Sequence, residues 1–326
     1  MARLPSLLDL VNAKDPDGSI GVVAELLNET NEILADIGWM EGNLPTGNRT
    51  VIRTGLPVGT WRRLYQGVQP DKSTRMQVTD TCGMHAAYNE VDCDLVDLEG
   101  NAEQFRMDEA TATIEGMSQE LAKTLFYGNT SIDPEKFDGF APRYNSLAAL
   151  NSKNIIDAGG IGTDNRSIWL IVWGSQSCFG LYPKGTTGGI SVEDKGKTTI
   201  NNVDGSRMEA YQMYFQLKAG LCVKDWRYAV RIANIDFSDL RSDASTGANL
   251  PSLMFKALEI VPNLSIGTPV FYMAREVRTF FREQLSNLTK TSTLDYSNVG
   301  GHRTALWNDI PLRRVDKLNV DEARVV

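Results

Sequence analysis

Histidine is scarce in this chain, and the usual sequence markers of catalysis are absent. Only His85 and His302 occur among 326 residues. No Gly-x-Ser-x-Gly elbow and no complete Walker motif (Gly-x-x-x-x-Gly-Lys-Ser/Thr) occurs, so acyl transfer and nucleotide hydrolysis lack their markers. The glycine-rich residues 159–164 precede a predicted strand instead of following one, and Asn165 stands where a dinucleotide-binding loop has its third glycine. We interpret them as a turn, and we expect neither an enzyme nor a bound cofactor.

Cysteine is also sparse, and its four positions show no paired short spacing. Cys82, Cys93, Cys178 and Cys222 are interpreted as buried thiols of a reducing compartment. Cys82, His85 and Cys93 can be drawn as a metal site together with nearby acids, but structural zinc requires a second tight ligand pair. No motif beside any of the thiols supports a Cys-His nucleophile pair. The sequence therefore predicts no metal centre and no catalytic thiol.

The acidic residues between positions 86 and 99 raise the alternative of a calcium site. Asp92, Asp94, Asp97 and Glu99 offer the oxygen ligands that Ca²⁺ prefers, but the loop glycine of an EF-hand is absent. Polar and apolar residues alternate through residues 86–98, with Glu90 among the polar ones. This alternation predicts the solvent-facing side of a strand instead.

Long apolar runs are absent as well. No segment reaches the ~18 uninterrupted apolar residues of a membrane span, and no such run follows residues 1–5. We therefore expect a soluble protein that is made in the cytoplasm and has no membrane partner. Hydrophobic residues make up 42% of the chain, which is enough to build a core. The net charge is −8 and the basic residues are scattered, which argues against a dedicated nucleic-acid binder.

A long amphipathic helix is the strongest positive signal, over residues 101–127. Asn101 is placed to cap it, with Gln104 three residues later, and Gly128 stands where a left-handed residue would end it. Such a helix would be about 40 Å long, well over twice the usual length. One apolar stripe runs along it at spacings of three and four: Met107, Ala110, Ile114, Met117, Leu121 and Leu125.

A hairpin with little apolar material of its own is predicted over residues 48–81. Residues 50–54 and 60–65 have strand character, residues 69–73 a turn composition, and residues 74–79 the character of a return strand. An isolated two-stranded ribbon is marginally stable in water. The hairpin therefore implies a partner surface.

The remaining segments predict a mixed α+β chain without internal repeats. An arm precedes a first helix over residues 19–37, and a surface loop or hairpin occupies residues 180–204. Strands are predicted at 167–173, 213–217, 226–230, 267–273, 305–307 and 310–316, and helices at 251–261 and 275–288.

Two stretches of sequence resemble a known family. FYGN at residues 126–129, followed by DPEKFDGFAPRYN at 133–145, resembles the loop after the spine helix of the major capsid proteins of tailed bacteriophages with the HK97-type fold. WNDIPLRRVD at residues 307–316 is similar to the closing strand of that family, and NVDEARV follows at 319–325. Members often have Gly before the Ile-Pro step, where this chain has Asp309, and the tail carries an extra residue near Val320.

The resemblance implies an HK97-like capsid fold with four parts. Residues 1–47 would be the N-terminal arm and first helix, and residues 48–81 an extended hairpin loop that laps over a neighbour. Residues 82–154 with 305–326 would form the peripheral domain with its spine helix. Residues 155–304 would be mainly the inserted axial domain.

The resemblance also implies a function and partners. The chain would be a major capsid protein that self-assembles into hexameric and pentameric capsomers and an icosahedral shell around phage DNA, which it would touch only non-specifically. It would be located in the virion after assembly in the host bacterial cytoplasm, with scaffolding, portal and decoration proteins as further candidate partners. The expected inter-subunit contacts lie in the hairpin: Trp61, Arg62, Arg63, Tyr65, Lys72 and Arg75.

Two other functions stay open at this point. One is a shell protein of the same fold with a non-viral role, such as a bacterial nanocompartment. The other is a cytosolic enzyme with a cysteine or carboxylate site, which would require a deep pocket around a thiol with a histidine within reach.

Overall fold

The computed structural model describes residues 29–99, 102–201, 205–242, 247–288, 294–299 and 302–326. The predicted N-terminal arm and the start of the predicted first helix, residues 1–28, lie outside this range. The described chain is mixed α+β, in agreement with the expected class. Among its helices, none is long and apolar enough to cross a membrane.

The helices of the described chain range from single turns to one long rod. In chain order they are α1 (Ile33–Asp36), α2 (Cys93–Glu99), α3 (Ala102–Tyr127), α4 (Phe140–Arg143), α5 (Phe237–Ser242), α6 (Leu250–Ile260) and α7 (Arg275–Leu288). The helices predicted at 101–127, 251–261 and 275–288 are therefore confirmed as α3, α6 and α7, while the predicted cap, Asn101, lies outside the described residues. Pro251 lies in the first turn of α6, where its missing N–H costs no hydrogen bond.

The strands of the described chain form one connected network. They are β1 (Trp39–Glu41), β2 (Gly47–Gly55), β3 (Thr74–Asp92), β4 (Ile155–Asp157), β5 (Asn165–Trp173), β6 (Cys178–Tyr182), β7 (Ile190–Asn201), β8 (Arg207–Val223), β9 (Ala229–Asp236), β10 (Thr268–Met273), β11 (Leu294–Val299), β12 (His302–Trp307) and β13 (Ile310–Arg314). The main path runs β11-β12-β13-β10-β5-β6-β8-β3-β2, and β8 also pairs with β7 along its length.

An aromatic cluster on β5 forms the centre of the core. Trp169 lies 6.0 Å from Phe126 of the last turn of α3, 5.8 Å from Phe140 and 5.9 Å from Tyr144, measured between ring centroids. All four side chains are fully buried. Offset and edge-to-face pairs of this kind add to the stabilisation that burial already provides. The stretch DPEKFDGFAPRYN therefore packs its aromatic residues between the long helix and β5.

The stripe on α3 is buried over only half of its length. Met117 and Leu125 lie in the core, whereas Met107 is 65% exposed and Ile114 is 36% exposed. The predicted apolar stripe therefore contributes to the core mainly through its C-terminal half. There Phe105 packs in a small separate cluster with Val91, Leu95 and Val96.

Gly128 ends the long helix for a different reason from the predicted one. It is not among the residues with positive φ, so a left-handed cap is not required. A Cβ at this position would lie 2.3 Å from the carbonyl oxygen of Phe137 and 2.6 Å from that of Thr124. The backbone of the following loop therefore approaches the helix end so closely that only glycine fits.

Two further predictions of element type are wrong at identifiable points. The helix predicted over 19–37 is reduced in the described part to Ile33–Asp36, because Asn31 pairs with Val315 and the Thr30 N–H donates to Asp316 at 3.0 Å. The strand predicted over 86–98 ends at Asp92, whose Oδ1 accepts the Asp94 N–H at 2.9 Å and starts α2.

The C-terminal tail is fixed by a buried ion pair. Glu322 accepts from the Arg231 guanidinium at 2.7 Å, from the Tyr127 hydroxyl at 2.6 Å and from the Ser167 hydroxyl. Arg231 also donates to the carbonyl oxygen of Tyr144 at 2.7 Å. Burial and the Glu322 charge raise the pKa of Tyr127 well above its ordinary value, so the phenol stays a donor. The tail, the long helix, β5 and β9 therefore meet at one carboxylate.

We expect Glu322→Ala to lower the free energy of unfolding by about 3–5 kcal/mol, because it leaves the buried Arg231 charge without its partner. Asp133→Ala is the control: that carboxylate and its partner Lys136, at 3.2 Å, are both partly exposed, so its loss should cost less than about 1 kcal/mol. Chemical unfolding followed by circular dichroism measures both. Equal losses of unfolding free energy in the two variants would show that the buried ion pair stabilises the fold no more than an exposed one.

The turn between β12 and β13 explains the departure at Asp309. Trp307 pairs with Ile310, so Asn308 and Asp309 form a two-residue loop, and both have positive φ, 49° and 61°. This is the backbone of a type I′ turn, in which glycine is favoured and Asn and Asp are the best tolerated alternatives. The strand pair predicted at 305–307 and 310–316 is thereby confirmed.

We expect Asp309→Gly to raise the free energy of unfolding by about 0.5–1 kcal/mol, since it removes the crowding of a Cβ in the left-handed region. Asp309→Ala should instead destabilise, because alanine lacks the local tolerance of aspartate. Thermal unfolding of the two variants beside the parent protein tests both signs. A lower melting temperature for Asp309→Gly would contradict this account of the turn.

Candidate assembly interface

A two-stranded ribbon extends from the sheet at β2 and β3. The register runs from Gly47 opposite Thr81 to Gly55 opposite Thr74. Beyond the ribbon the same strand, β3, pairs with β8 from Cys82 to Asp92. At about 3.3 Å per residue its 19 residues span about 60 Å. One continuous strand therefore joins the ribbon to the body.

Residues 56–73, which we call the tip loop, connect the two ribbon strands without regular structure. The strand predicted at 60–65 is wrong: these residues have no paired strand, and Tyr65 has a positive φ of 64°. Few bonds hold the loop, among them Val58 N–H to Asp71 Oδ2 at 3.0 Å. Its large apolar side chains are all exposed: Leu56, Val58, Trp61, Leu64, Tyr65 and Val68.

The six residues predicted as contacts all lie on this exposed surface. Trp61 and Tyr65 are fully exposed. The basic ones are Arg62, Arg63, Lys72 and Arg75, which are exposed and form no ion pair with any described residue. The structure thus places the six on one projection, where their side chains form no ion pair with the described chain; Arg62 Nη1 donates to the carbonyl oxygen of Gln66 at 3.5 Å within the tip loop.

Ribbon and tip loop carry a concentration of positive charge. Residues 47–81 contain six basic residues and two acidic residues, a net +4, so the remainder of the −8 chain carries −12. Arg53 lies directly opposite Arg75 in the ribbon register, and like charges in that position repel. The positive charge of the ribbon and tip loop is therefore not balanced by acidic residues within this segment.

Sequence reasoning missed part of this surface. The basic residues were interpreted as scattered, although counting charge by segment separates residues 47–81 from the rest. Arg49 and Arg53 belong to the same positive surface, and Val51 and Met76 add exposed apolar area on the ribbon strands. A local charge count would have found the two arginines, because it needs no knowledge of pairing.

The thiols are poor candidates for a catalytic site. Burial raises the pKa of Cys82 to about 11 and that of Cys222 to about 12, and it raises the pKa of Cys178 further. Thiols of this kind stay protonated and unreactive at neutral pH. The cavity beside His85, of about 300 Å³, is lined by parts of β3, β8, α3 and residues 135–137, with no cysteine among the described lining residues. Within the described ranges, no three His, Cys, Asp or Glu residues are grouped as metal ligands.

Comparison with known proteins identifies a family model and solved structures that are similar to this chain. The model of the family described as Major capsid protein GP7 matches residues 15–326. A solved structure of bacteriophage Epsilon15 is 33% identical, covers 100% of this chain and 98% of that chain, and has a TM-score of 0.79. The search of curated proteins found no match.

Two more distant structures also match. The capsid of bacteriophage JBD30 is 8% identical over 90% of this chain and 92% of that chain, with a TM-score of 0.49. The holo-SrpI encapsulin complex of Synechococcus elongatus is 13% identical over 72% of this chain and 97% of that chain, with a TM-score of 0.43.

The family model covers nearly the whole chain, and the Epsilon15 structure superposes over all of it. The predicted HK97-like fold and the predicted capsid family are thereby confirmed. The chain belongs to the Major capsid protein GP7 family and is a structural subunit of a tailed-phage shell.

Proposed function

We propose that copies of the chain assemble into hexameric and pentameric capsomers by laying the ribbon and tip loop of each copy on a neighbour. The observation that carries this proposal is the exposure of Trp61, Leu64 and Tyr65 on a projection that has no core. Clustered exposed apolar side chains mark interaction surfaces in soluble proteins. Aromatic anchors of this kind dominate the energy of most interfaces.

A second copy of the same chain is the partner that fits the charge of the ribbon. The ribbon and tip loop carry +4, and residues 90–115 contain nine acidic residues and one basic residue, a net −8. Met107 and Ile114 add exposed apolar area on the same segment. We propose this segment, with the exposed N-terminal half of α3, as the receiving surface. Complementary potentials speed encounter and fix the register of the partners.

We also propose a division of the chain into domains. Residues 82–154 with 305–326 would form the peripheral domain, and residues 155–304 mainly the axial domain at the capsomer centre. The long helix, of 26 residues and about 39 Å, lies wholly within residues 82–154 and would be the spine of the peripheral domain. Residues 48–81 would be the extended loop, and residues 1–47 the arm with the first helix.

The remaining expectations concern cellular context. We propose that assembly takes place in the host bacterial cytoplasm and that the chain acts without catalysis, since burial raises the pKa of the thiols of Cys82, Cys178 and Cys222 and keeps them protonated. Scaffolding, portal and decoration proteins are proposed partners, with DNA touched only non-specifically because the chain is acidic overall. The family match favours the phage shell over a nanocompartment.

We expect Trp61→Ala to reduce the yield of particles at least tenfold, since truncating a central aromatic anchor typically costs about 2 kcal/mol or more per contact. The stability of the unassembled subunit should not change, because the side chain is fully exposed. Sucrose-gradient sedimentation and electron microscopy measure assembly, and thermal unfolding measures stability. Gln69→Ala, in the same loop, is the control and should assemble like the parent; an unchanged yield for Trp61→Ala would exclude this contact.

We expect Arg75→Glu to have opposite effects on the subunit and on the shell. It replaces the repulsion with Arg53 by attraction, so the unassembled ribbon should gain about 0.2–1 kcal/mol. It also removes positive charge from the proposed contact, so assembly should slow, most strongly at low salt. Lys256→Glu makes the same charge change on α6 and should leave the assembly rate unaltered. Light scattering over a salt series tests this, and equal rates for all three proteins would contradict it.

A further inference from the structure

The base of the ribbon is fixed by a buried ion pair. Asp80 lies opposite Asn48, one residue before Thr81, where the pairing of β3 with β2 ends; the next residue, Cys82, already pairs with Gly220 of β8. The Asp80 side chain is buried, and its Oδ1 accepts from the Arg143 Nη1 at 2.7 Å. Among the described residues, Arg143 is the one cation within ion-pair distance of this carboxylate.

Arg143 joins three parts of the structure at this point. Besides Asp80, its Nη2 donates to the carbonyl oxygen of Asp138 at 3.2 Å and to that of Leu221 at 3.3 Å. Asp138 belongs to the loop after the long helix, and Leu221 belongs to β8. One guanidinium therefore holds the ribbon base against two elements of the body.

The residue is itself held firmly from the body side. Arg143 ends α4, whose first residue, Phe140, lies in the aromatic core, and the next residue, Tyr144, is also fully buried. The carbonyl oxygen of Arg143 accepts from Asn151 at 2.7 Å. The guanidinium is thus carried on a segment that has little freedom to move.

Three glycines let the backbone close around the same place. A Cβ on Gly47 would lie 2.0 Å from the carbonyl oxygen of Asp80, and one on Gly220 would lie 2.7 Å from that of Thr81. A Cβ on Gly83 would lie 2.9 Å from the carbonyl oxygen of Glu135. The backbones of β2, β8 and the loop after α3 therefore all lie in close contact with residues 80–83.

A small rotation at the base of the ribbon moves its far end by a large distance. The ribbon strand from Gly47 to Gly55 is about 30 Å long at about 3.3 Å per residue. A rotation of about 10° at the base would move its far end by about 5 Å, which exceeds the ~4 Å range of apolar contact. A small change in the direction of the backbone at Asp80 would therefore be enough to move Trp61 away from its contact.

We propose that the Asp80–Arg143 pair is a positioning device that sets the direction of the ribbon and so makes the subunit competent to assemble. This inference rests on the proposed function, since it takes the ribbon to be the assembly arm. Neither residue contacts the neighbour; both act through the placement of the tip loop. The pair would thus couple the loop after the long helix to the geometry of the shell.

The test separates positioning from ordinary stabilisation with a matched ion pair. Arg313 and Asp36 lie 2.9 Å apart and are comparably buried, but they join α1 to β13 far along the sheet from the ribbon. Asp80→Asn, Arg143→Gln and Asp36→Asn are made in the full chain. Hydrogen exchange of the unassembled subunits is compared at residues 47–55 and 74–79, together with particle yield at temperatures where each variant is folded.

We expect the ribbon amides to exchange at least tenfold faster in Asp80→Asn and Arg143→Gln, with the amides of β5 and β9 unchanged and the particle yield at least tenfold lower. Asp36→Asn should leave both the ribbon exchange and the yield at parental values. Ribbon exchange and yield equal to those of Asp36→Asn would overturn the proposal.

Arg143→Lys keeps the test decisive if the other variants do not fold. It retains the charge toward Asp80 but loses the fork that reaches the two carbonyl groups, so ribbon exchange should rise at least threefold without change in the body. An unaltered ribbon would overturn the proposal. The exchange measurement does not need particles, so a parent protein that never assembles would refute the proposed function and leave the positioning test intact.

Discussion

The 19-residue strand β3 is the constraint on which the rest of the arrangement depends, because it belongs to two structures at once. Its first part pairs with β2 alone, and its second part lies in the body beside β8. A two-stranded ribbon has no core and cannot hold its own direction in water. The direction must therefore come from the body, through the backbone that the two share. The point where β3 changes its pairing from β2 to β8 therefore determines which surfaces the tip loop can reach.

The segment after the long helix connects that strand to the core. Its aromatic residues, Phe140 and Tyr144, pack on Trp169, and its arginine, Arg143, reaches the base of the ribbon. The C-terminal tail closes the same region from the other side, through Glu322 and the buried Arg231. A family resemblance carried by DPEKFDGFAPRYN thus rests on residues that serve packing and orientation. The resemblance therefore identifies the fold and gives no information about catalysis.

The sequence predicts most of this fold wherever a segment buries a face. The long helix, the strand at 167–173, and helices α6 and α7 follow from periodicity, because burial imposes the spacing of apolar residues. The failures lie where a neighbour decides. Residues 60–65 have β-type side chains, yet no strand lies beside them, and Asn31 leaves the helical pattern because it pairs with Val315. Pairing partners distant in sequence leave no trace in a local pattern.

The candidate interface was predictable in part for the same reason. Trp61 and Tyr65 were expected as contacts because the family resemblance implies an extended loop that laps over a neighbour, and the structure leaves both side chains fully exposed. The half-exposed stripe of α3 was not foreseen, since periodicity shows which residues share a face but not how far a neighbouring sheet extends over it. The Asp80–Arg143 pair left no signal either: the two residues are 63 positions apart, and their contact depends on the path of the loop.

The most direct test of the account is a density map of assembled particles at side-chain resolution. The account predicts that residues 56–68 of each subunit lie on an adjacent copy, with Trp61 and Tyr65 buried at the contact and the basic residues of the ribbon facing acidic side chains of the neighbour. Particles in which the tip loop projects freely into solvent, with Trp61 as exposed as in the single chain, would contradict it.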